Sequence, residues 1–162
     1  MTAAIAVCSW ITVPVIPEIP FTMQTFAVFF ALEYAGGKCG TVSVVTYMAL
    51  GALGVPVFSG FRGGVGHLVG PTGGYIVGFI LTCAVFWMFE KQFSSGRAFH
   101  YVALALALVA CYVAGTVWFI IQTKIPLDAA LVKCVLPYIA PDAVKIALAV
   151  FLSAKLKKII KV

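Results

Sequence analysis

Hydrophobic residues dominate the chain in long runs, which short glycine- and proline-rich or polar stretches interrupt. The runs cover residues of about 1–13, 22–36, 39–55, 72–89, 98–122 and 142–160. A helix needs about 20 apolar residues to cross the hydrocarbon core of a bilayer. We therefore interpret the six runs as transmembrane helices, the first of them short for a span. The second and third are separated by "GGKCG" at 36–40, a tight turn that predicts an antiparallel helix pair.

The composition supports the same interpretation. Of the 162 residues, 63% are hydrophobic and only 10% are charged, whereas a typical soluble domain carries about 25% charged residues. The sequence predicts an all-α integral membrane protein with one domain over residues 1–162. Its net charge of +6 is not gathered into a basic patch with interleaved aromatics, so we expect no nucleic-acid partner.

The cysteines do not indicate a metal site. There are five of them, an odd number, scattered mostly inside apolar runs and without a C-x-x-C pair or a nearby histidine cluster. Residues in this arrangement behave as small hydrophobes. We expect no bound metal.

The basic residues predict the orientation of the chain. With six spans, both termini lie on one side, and seven of the eleven Lys and Arg residues fall there: Lys38, Lys91, Arg97, Lys155, Lys157, Lys158 and Lys161. By the positive-inside rule, the termini are cytoplasmic and the chain is a multi-pass protein of the cell membrane that contacts lipid. The lysines of the tail suit contact with lipid headgroups.

Prolines and glycines concentrate on the opposite, outer face. All eight prolines fall in the three predicted outer segments, and ten of the fifteen glycines lie between Gly51 and Gly78. Irregular backbone at membrane depth is tolerated where protein buries it or where it lines a cavity. Two interpretations remain open: the outer loops are simply longer, or they form a ligand pocket that opens outward.

The densest glycine stretch, "SGFRGGVGHLVGPTGGYIVGF" at 59–79, is not a nucleotide-binding loop. It lacks the G-x-x-x-x-G-K-[ST] pattern, and its glycine after Gly64-Val65-Gly66 comes too late for G-x-G-x-x-G. Thr72 instead stands where it can cap a helix. Gly73 and Gly74 then leave one helix face bare, which permits either close helix packing or close approach of a flat ligand.

Two ionisable residues stand out inside the last apolar run. Asp142 and Lys145 are three positions apart, on one face of a helix predicted to begin at Pro141. One interpretation makes Asp142 a helix cap and Lys145 its snorkelling partner. The other makes them ligand-binding groups, because ionisable residues in a membrane segment are costly to desolvate.

Four motifs, taken in order, resemble the BioY family, the biotin-specific substrate-binding (S) components of energy-coupling factor transporters. The motifs are "IPFTMQTFAV" (19–28), "GVPVFSGFRGG" (54–64), "GPTGGY" within 70–79 and "LPYIAPDAVKIALA" (136–149). The resemblance implies the six-helix S-component fold, a biotin ligand that is transported, and no cofactor. It also implies that the chain is not an enzyme.

The resemblance assigns roles to the residues singled out above. Phe58 and Tyr75 would form aromatic walls, Asp142 would accept from the ureido N–H groups, and Lys145 would supply a cation. Which polar residue meets which end of biotin stays open. The remaining candidates for the binding site are Thr72, Gly73 and Gly74.

The chain carries no ATP-binding motif, so it cannot drive transport alone. The resemblance implies a transmembrane coupling subunit and two ATP-binding subunits as partners. Four small residues would allow close approach to the coupling subunit: Ala3, Ala6, Ala27 and Ala31.

Two alternatives remain. An S component for another small vitamin would keep the fold and change the pocket. A small polytopic lipid acyltransferase would need convergent catalytic groups, whereas His67 and His100 are predicted on opposite sides of the membrane.

Overall fold

The structure, a computed structural model, describes residues 1–16, 19–92 and 96–160. Pro17, one of the eight prolines assigned to the outer face, and Lys161, one of the basic residues of the orientation argument, lie outside these ranges. The elements in order are α1 (Thr2–Trp10), β1 (Thr12–Ile16), β2 (Ile19–Thr22), α2 (Gln24–Ala52), α3 (Val65–Leu68), α4 (Gly73–Gln92), α5 (Arg97–Thr123), α6 (Leu127–Cys134) and α7 (Leu136–Ile160).

The helix α2 reverses direction at a glycine. Gly36 has φ 80° and ψ 164°, outside the helical region, and separates a first arm (residues 24–35) from a second arm (residues 37–52). Gln24 Nε2 donates to Tyr47 OH at 2.8 Å, which joins the start of one arm to the far part of the other. The arms are therefore antiparallel, as the sequence predicts.

Each of the six predicted spans corresponds to a helix or to an arm of α2. Among the described residues, three helical stretches are long and apolar enough to cross a membrane: Gly73–Gln92, Ala98–Thr123 and Leu127–Ile159. The helix α1 has nine residues and is therefore only about 14 Å long at 1.5 Å per residue. The apolar helices and the many exposed large hydrophobic side chains identify a membrane protein.

An antiparallel hairpin, β1–β2, is the element that the helical interpretation missed. It pairs Thr12 with Thr22 and Val13 with Phe21, and its register is irregular between Val13 and Ile16. β-Branched residues favour the extended chain. Each strand contains a proline, Pro14 in β1 and Pro20 in β2. Both are tolerated because a two-stranded sheet has only edge strands.

Close packing of α4 against α5 forms the centre of the bundle. A Cβ at Gly74 would lie 2.2 Å from Trp118 Cβ, and a Cβ at Gly115 would lie 2.2 Å from Tyr75 Cδ1. Each helix thus presents a glycine to a large aromatic side chain of the other. This exchange lets the two backbones approach closely.

The last helix begins earlier than predicted. α7 starts at Leu136 and contains Pro141 in its interior, so Asp142 lies about a turn and a half inside it. Pro141 has no N–H to donate to the carbonyl four residues before it. The interpretation of Asp142 as a helix cap is therefore wrong.

Candidate ligand-binding site

A cavity of about 90 Å³ lies at the end of the bundle that carries the hairpin β1–β2 and the loop between α2 and α4. The end of β2 and the start of α2 form one wall, and His67 of α3 and the first half of α4 form another. α5, the end of α6 and α7 complete it. Among the described residues, the lining includes Pro20 but no glycine, so the glycine-rich wall that the sequence predicts is not found.

Asp142 and Lys145 form a buried ion pair on the cavity wall. Lys145 Nζ lies 2.7 Å from Asp142 Oδ1, and the two side chains are 5% and 4% exposed. Neither reaches solvent, so Lys145 does not snorkel to the membrane surface. A buried pair of this kind is stable only when hydrogen bonds satisfy its remaining donors and acceptors.

All three N–H donors of Lys145 are in use. One binds Asp142 Oδ1, a second binds the backbone oxygen of Thr22 at 2.7 Å, and the third binds Thr25 Oγ1 at 2.9 Å. The ammonium also lies 4.0 Å from the centroid of the Phe21 ring. Because an ammonium has only three donors, Lys145 can contact a ligand only by giving up one of these bonds.

Asp142, by contrast, keeps capacity to accept. Oδ1 accepts from Lys145 and from Thr25 Oγ1 at 3.3 Å, and Oδ2 accepts from Tyr112 OH at 2.6 Å. A carboxylate has about four lone-pair sites. Among the contacts of the described residues, one site on Oδ2 therefore remains for a ligand N–H.

The remaining wall is mainly aromatic and aliphatic. Tyr75 and Tyr138 line it together with Ile76, Phe79 and Leu108. Tyr75 OH is 3.2 Å from Thr116 Oγ1, so the polar end of this ring is held by α5. A cavity with apolar walls and one charged hydrogen-bonding network suits a small, partly polar organic ligand.

The structure brings together four of the seven predicted binding residues: Thr72, Tyr75, Asp142 and Lys145 line the cavity. Phe58 does not line it, because its ring is fully buried between Tyr47 and His67. Gly73 and Gly74 face protein, since an added Cβ would lie 1.7 Å from the Leu68 backbone oxygen and 2.2 Å from Trp118 Cβ. These glycines serve helix and loop packing.

The predicted coupling surface also needs correction. Ala6, Ala27 and Ala31 are 7%, 3% and 1% exposed and belong to the hydrophobic core. Ala3 is exposed. These three alanines let helices of this chain pack closely together. Because they are buried, a partner subunit cannot contact them.

Sequence reasoning missed several groups on the cavity wall, among them Thr22, His67 and Tyr112. Tyr112 and Thr22 lie far from Asp142 in the sequence, and only the packing of the hairpin, α5 and α7 brings them to the ion pair. The signal available in the sequence was Tyr112 itself, a tyrosine within the apolar run of α5. A buried phenol usually has a hydrogen-bond partner.

Comparison with known proteins now identifies the family. A model of the BioY family matches residues 1–162. The chain belongs to the BioY family. BioY proteins are transporters rather than enzymes, which removes the acyltransferase alternative.

Similar proteins cover nearly the whole chain. The biotin transporter BioY of Thermotoga maritima is 37% identical over 159 residues, which are 98% of this chain and 92% of that protein. The biotin transporter BioY of Lactococcus lactis is 30% identical over 167 residues, with 98% and 87% covered. A crystal structure at 2.1 Å of the S-component for biotin from an ECF-type ABC transporter superimposes with a TM-score of 0.89 at 29% identity, covering 97% of this chain and 86% of that one.

Proposed function

We propose that this BioY chain captures biotin as the substrate-binding component of an energy-coupling factor transporter. The observation that carries the proposal is the buried network of Asp142, Lys145 and Tyr112 on the wall of an otherwise apolar cavity. The names of the relatives support biotin as the ligand.

The hydrogen bonds favour one orientation of biotin. Its ureido group offers N–H donors, and Asp142 has a free acceptor site, whereas Lys145 has no free donor. The ion pair is also neutral as a unit, so a second carboxylate beside Asp142 would add an uncompensated buried charge. We therefore place the ureido ring at Asp142 and the valerate carboxylate nearer the outer loops.

Transport requires partners, since the sequence contains no ATP-binding motif. A transmembrane coupling subunit and two ATP-binding subunits would supply the energy, with this chain as a single multi-pass domain in the cell membrane. Its termini would be cytoplasmic, as the distribution of Lys and Arg predicts.

Calorimetric titration of the purified protein with biotin, thiamine and riboflavin tests the ligand. We expect biotin to bind and the other two vitamins not to bind. Asp142→Asn should weaken biotin binding about tenfold to more than a hundredfold, because a hydrogen bond to a charged group is lost. Asp128→Asn, at an exposed position of α6, is the matched control.

Thermal unfolding of each variant, measured in parallel, shows whether Asp142→Asn still folds with Lys145 less well neutralised. Tyr112→Phe removes the hydroxyl that donates to Asp142 Oδ2 and keeps the ion pair intact. Its biotin affinity therefore tests the same network without changing either charge. Tighter binding of another vitamin than of biotin would contradict the proposed ligand.

A further inference from the structure

His67 is a second polar group on the cavity wall and has no role in the network around Asp142. It lies in the one-turn helix α3, within the outer loop between α2 and α4. Its ring stacks on Phe58, with centroids 5.4 Å apart and an interplanar angle of 25°. Because Phe58 is fully buried, the stack fixes the imidazole in place.

Within the described part of the chain, the His67 ring nitrogens make no hydrogen bond. Burial and the nearby positive charge of Arg62 hold the pKa of His67 below its usual value. The ring is therefore neutral at pH 7 and offers one N–H donor. A donor that borders a cavity and has no partner is available to a ligand.

The backbone holds Arg62 close to this position. Phe58 N donates to the Arg62 backbone oxygen at 2.8 Å, and Arg62 N donates to the Phe58 oxygen at 3.3 Å. Gly60 and Phe61, both with positive φ, close the turn between them. The same short hairpin therefore presents Phe58 to the His67 ring and places the Arg62 cation nearby.

A monocarboxylate ligand needs a favourable site for its charge, and the ion pair at Asp142 does not provide one. Apart from Lys145, whose donors are taken, His67 is the basic residue that lines the cavity in the described ranges. We infer that His67, assisted by the Arg62 charge, binds the carboxylate of the ligand. This inference rests on the proposed function and extends it to the other end of biotin.

The test compares biotin with its neutral methyl ester, using His67→Phe. Phenylalanine keeps a ring to stack on Phe58 and removes the N–H donor. We expect His67→Phe to weaken the binding of biotin about tenfold or more and that of the methyl ester less than about threefold, because the lost hydrogen bond is charge-assisted only for the acid. His67→Gln, which restores an N–H, should recover part of the loss.

Arg62→Gln allows the same comparison of biotin with its methyl ester. It leaves the stacking of His67 on Phe58 unchanged, because Arg62 is exposed. Lys133→Gln removes an exposed cation elsewhere and is the matched control for net charge. The inference would be overturned if His67→Phe and Arg62→Gln both lost as much affinity for the methyl ester as for biotin. It would also be overturned if neither variant lost affinity for either ligand while the wild-type protein binds biotin. Failure of the wild-type protein to bind biotin would instead overturn the proposed function.

Discussion

At the scale of single residues, the buried Asp142–Lys145 pair shows how a membrane protein keeps two charges away from water. Each ion loses its hydration, and the loss costs several kcal/mol per ion. Tyr112, Thr25 and the Thr22 backbone oxygen replace the lost water contacts. Three separate elements must therefore be in place before the pair is stable, so the pair also helps to fix the hairpin against α7.

Gly73 and Gly74 lead to a prediction about stability. An alanine methyl group would collide with the Leu68 backbone oxygen at one position and with the Trp118 side chain at the other. We expect Gly73→Ala and Gly74→Ala to lower the free energy of unfolding by about 1–3 kcal/mol each. Thermal unfolding in detergent measures this effect.

Gly66→Ala is the control for these variants, because nothing lies within 4 Å of its added Cβ. Biotin affinity per folded molecule should stay unchanged in Gly73→Ala and Gly74→Ala. Reduced affinity at an unchanged melting temperature would instead place the ligand against the glycine backbone.

At the scale of the elements, the turn at Gly36 determines how α2 folds back on itself. Its φ of 80° and ψ of 164° lie in a region that essentially only glycine adopts. The next amide, Gly37 N, donates to Glu90 Oε2 at 2.7 Å, so the end of α4 holds the turn. The conformation of one glycine thus sets the pairing of two spans.

Gly36→Ala should therefore destabilise the protein by about 1–3 kcal/mol, through backbone strain rather than collision. An added Cβ would have only an ordinary contact, 3.4 Å from Glu90 Oε1. Thr46→Ala, which removes one hydrogen bond to Val42 at an exposed site of the second arm, is the control. Equal melting temperatures for Gly36→Ala and Thr46→Ala would refute the strain argument.

At the scale of the whole molecule, the two ends of the bundle differ. The cavity lies among the starts of the first arm and of α4, whereas the opposite end carries a set of polar contacts. There, His100 Nδ1 lies 3.0 Å from Glu33 Oε2, and Lys157 Nζ donates to the Glu33 backbone oxygen at 2.7 Å. These contacts join α2, α5 and α7 at the end where the basic residues gather.

This asymmetry gives a prediction of orientation. A maleimide that cannot cross membranes should label Asp128→Cys in intact cells and should not label Lys158→Cys until the cells are opened. Both positions are exposed; Asp128 lies in the first turn of α6, which precedes α7, and Lys158 lies in the last turn of α7. The native Cys39, which is exposed, should first be replaced by serine. Labelling of Lys158→Cys from outside would reverse the proposed orientation.

The sequence predicted the helical class and the approximate bounds of six spans because each depends on local hydrophobicity. It also singled out Asp142 and Lys145, since two charges in an apolar run are conspicuous. It failed for the hairpin β1–β2, where a short proline-containing segment gives a weak periodic signal. It also failed for Ala6, Ala27 and Ala31, because small residues look alike whether they face a partner or the core.

The sequence by itself therefore determined that the protein lies in a membrane, where its helices are, and that charged side chains lie within a membrane segment. Only the tertiary structure decided what those side chains do. The donors of Lys145 are occupied by Thr22 and Thr25, more than a hundred positions away along the chain, and Asp142 is left with one site to accept. Hydrogen bonds act over about 3 Å, so their partners are set by packing, and no pattern along the chain reveals them.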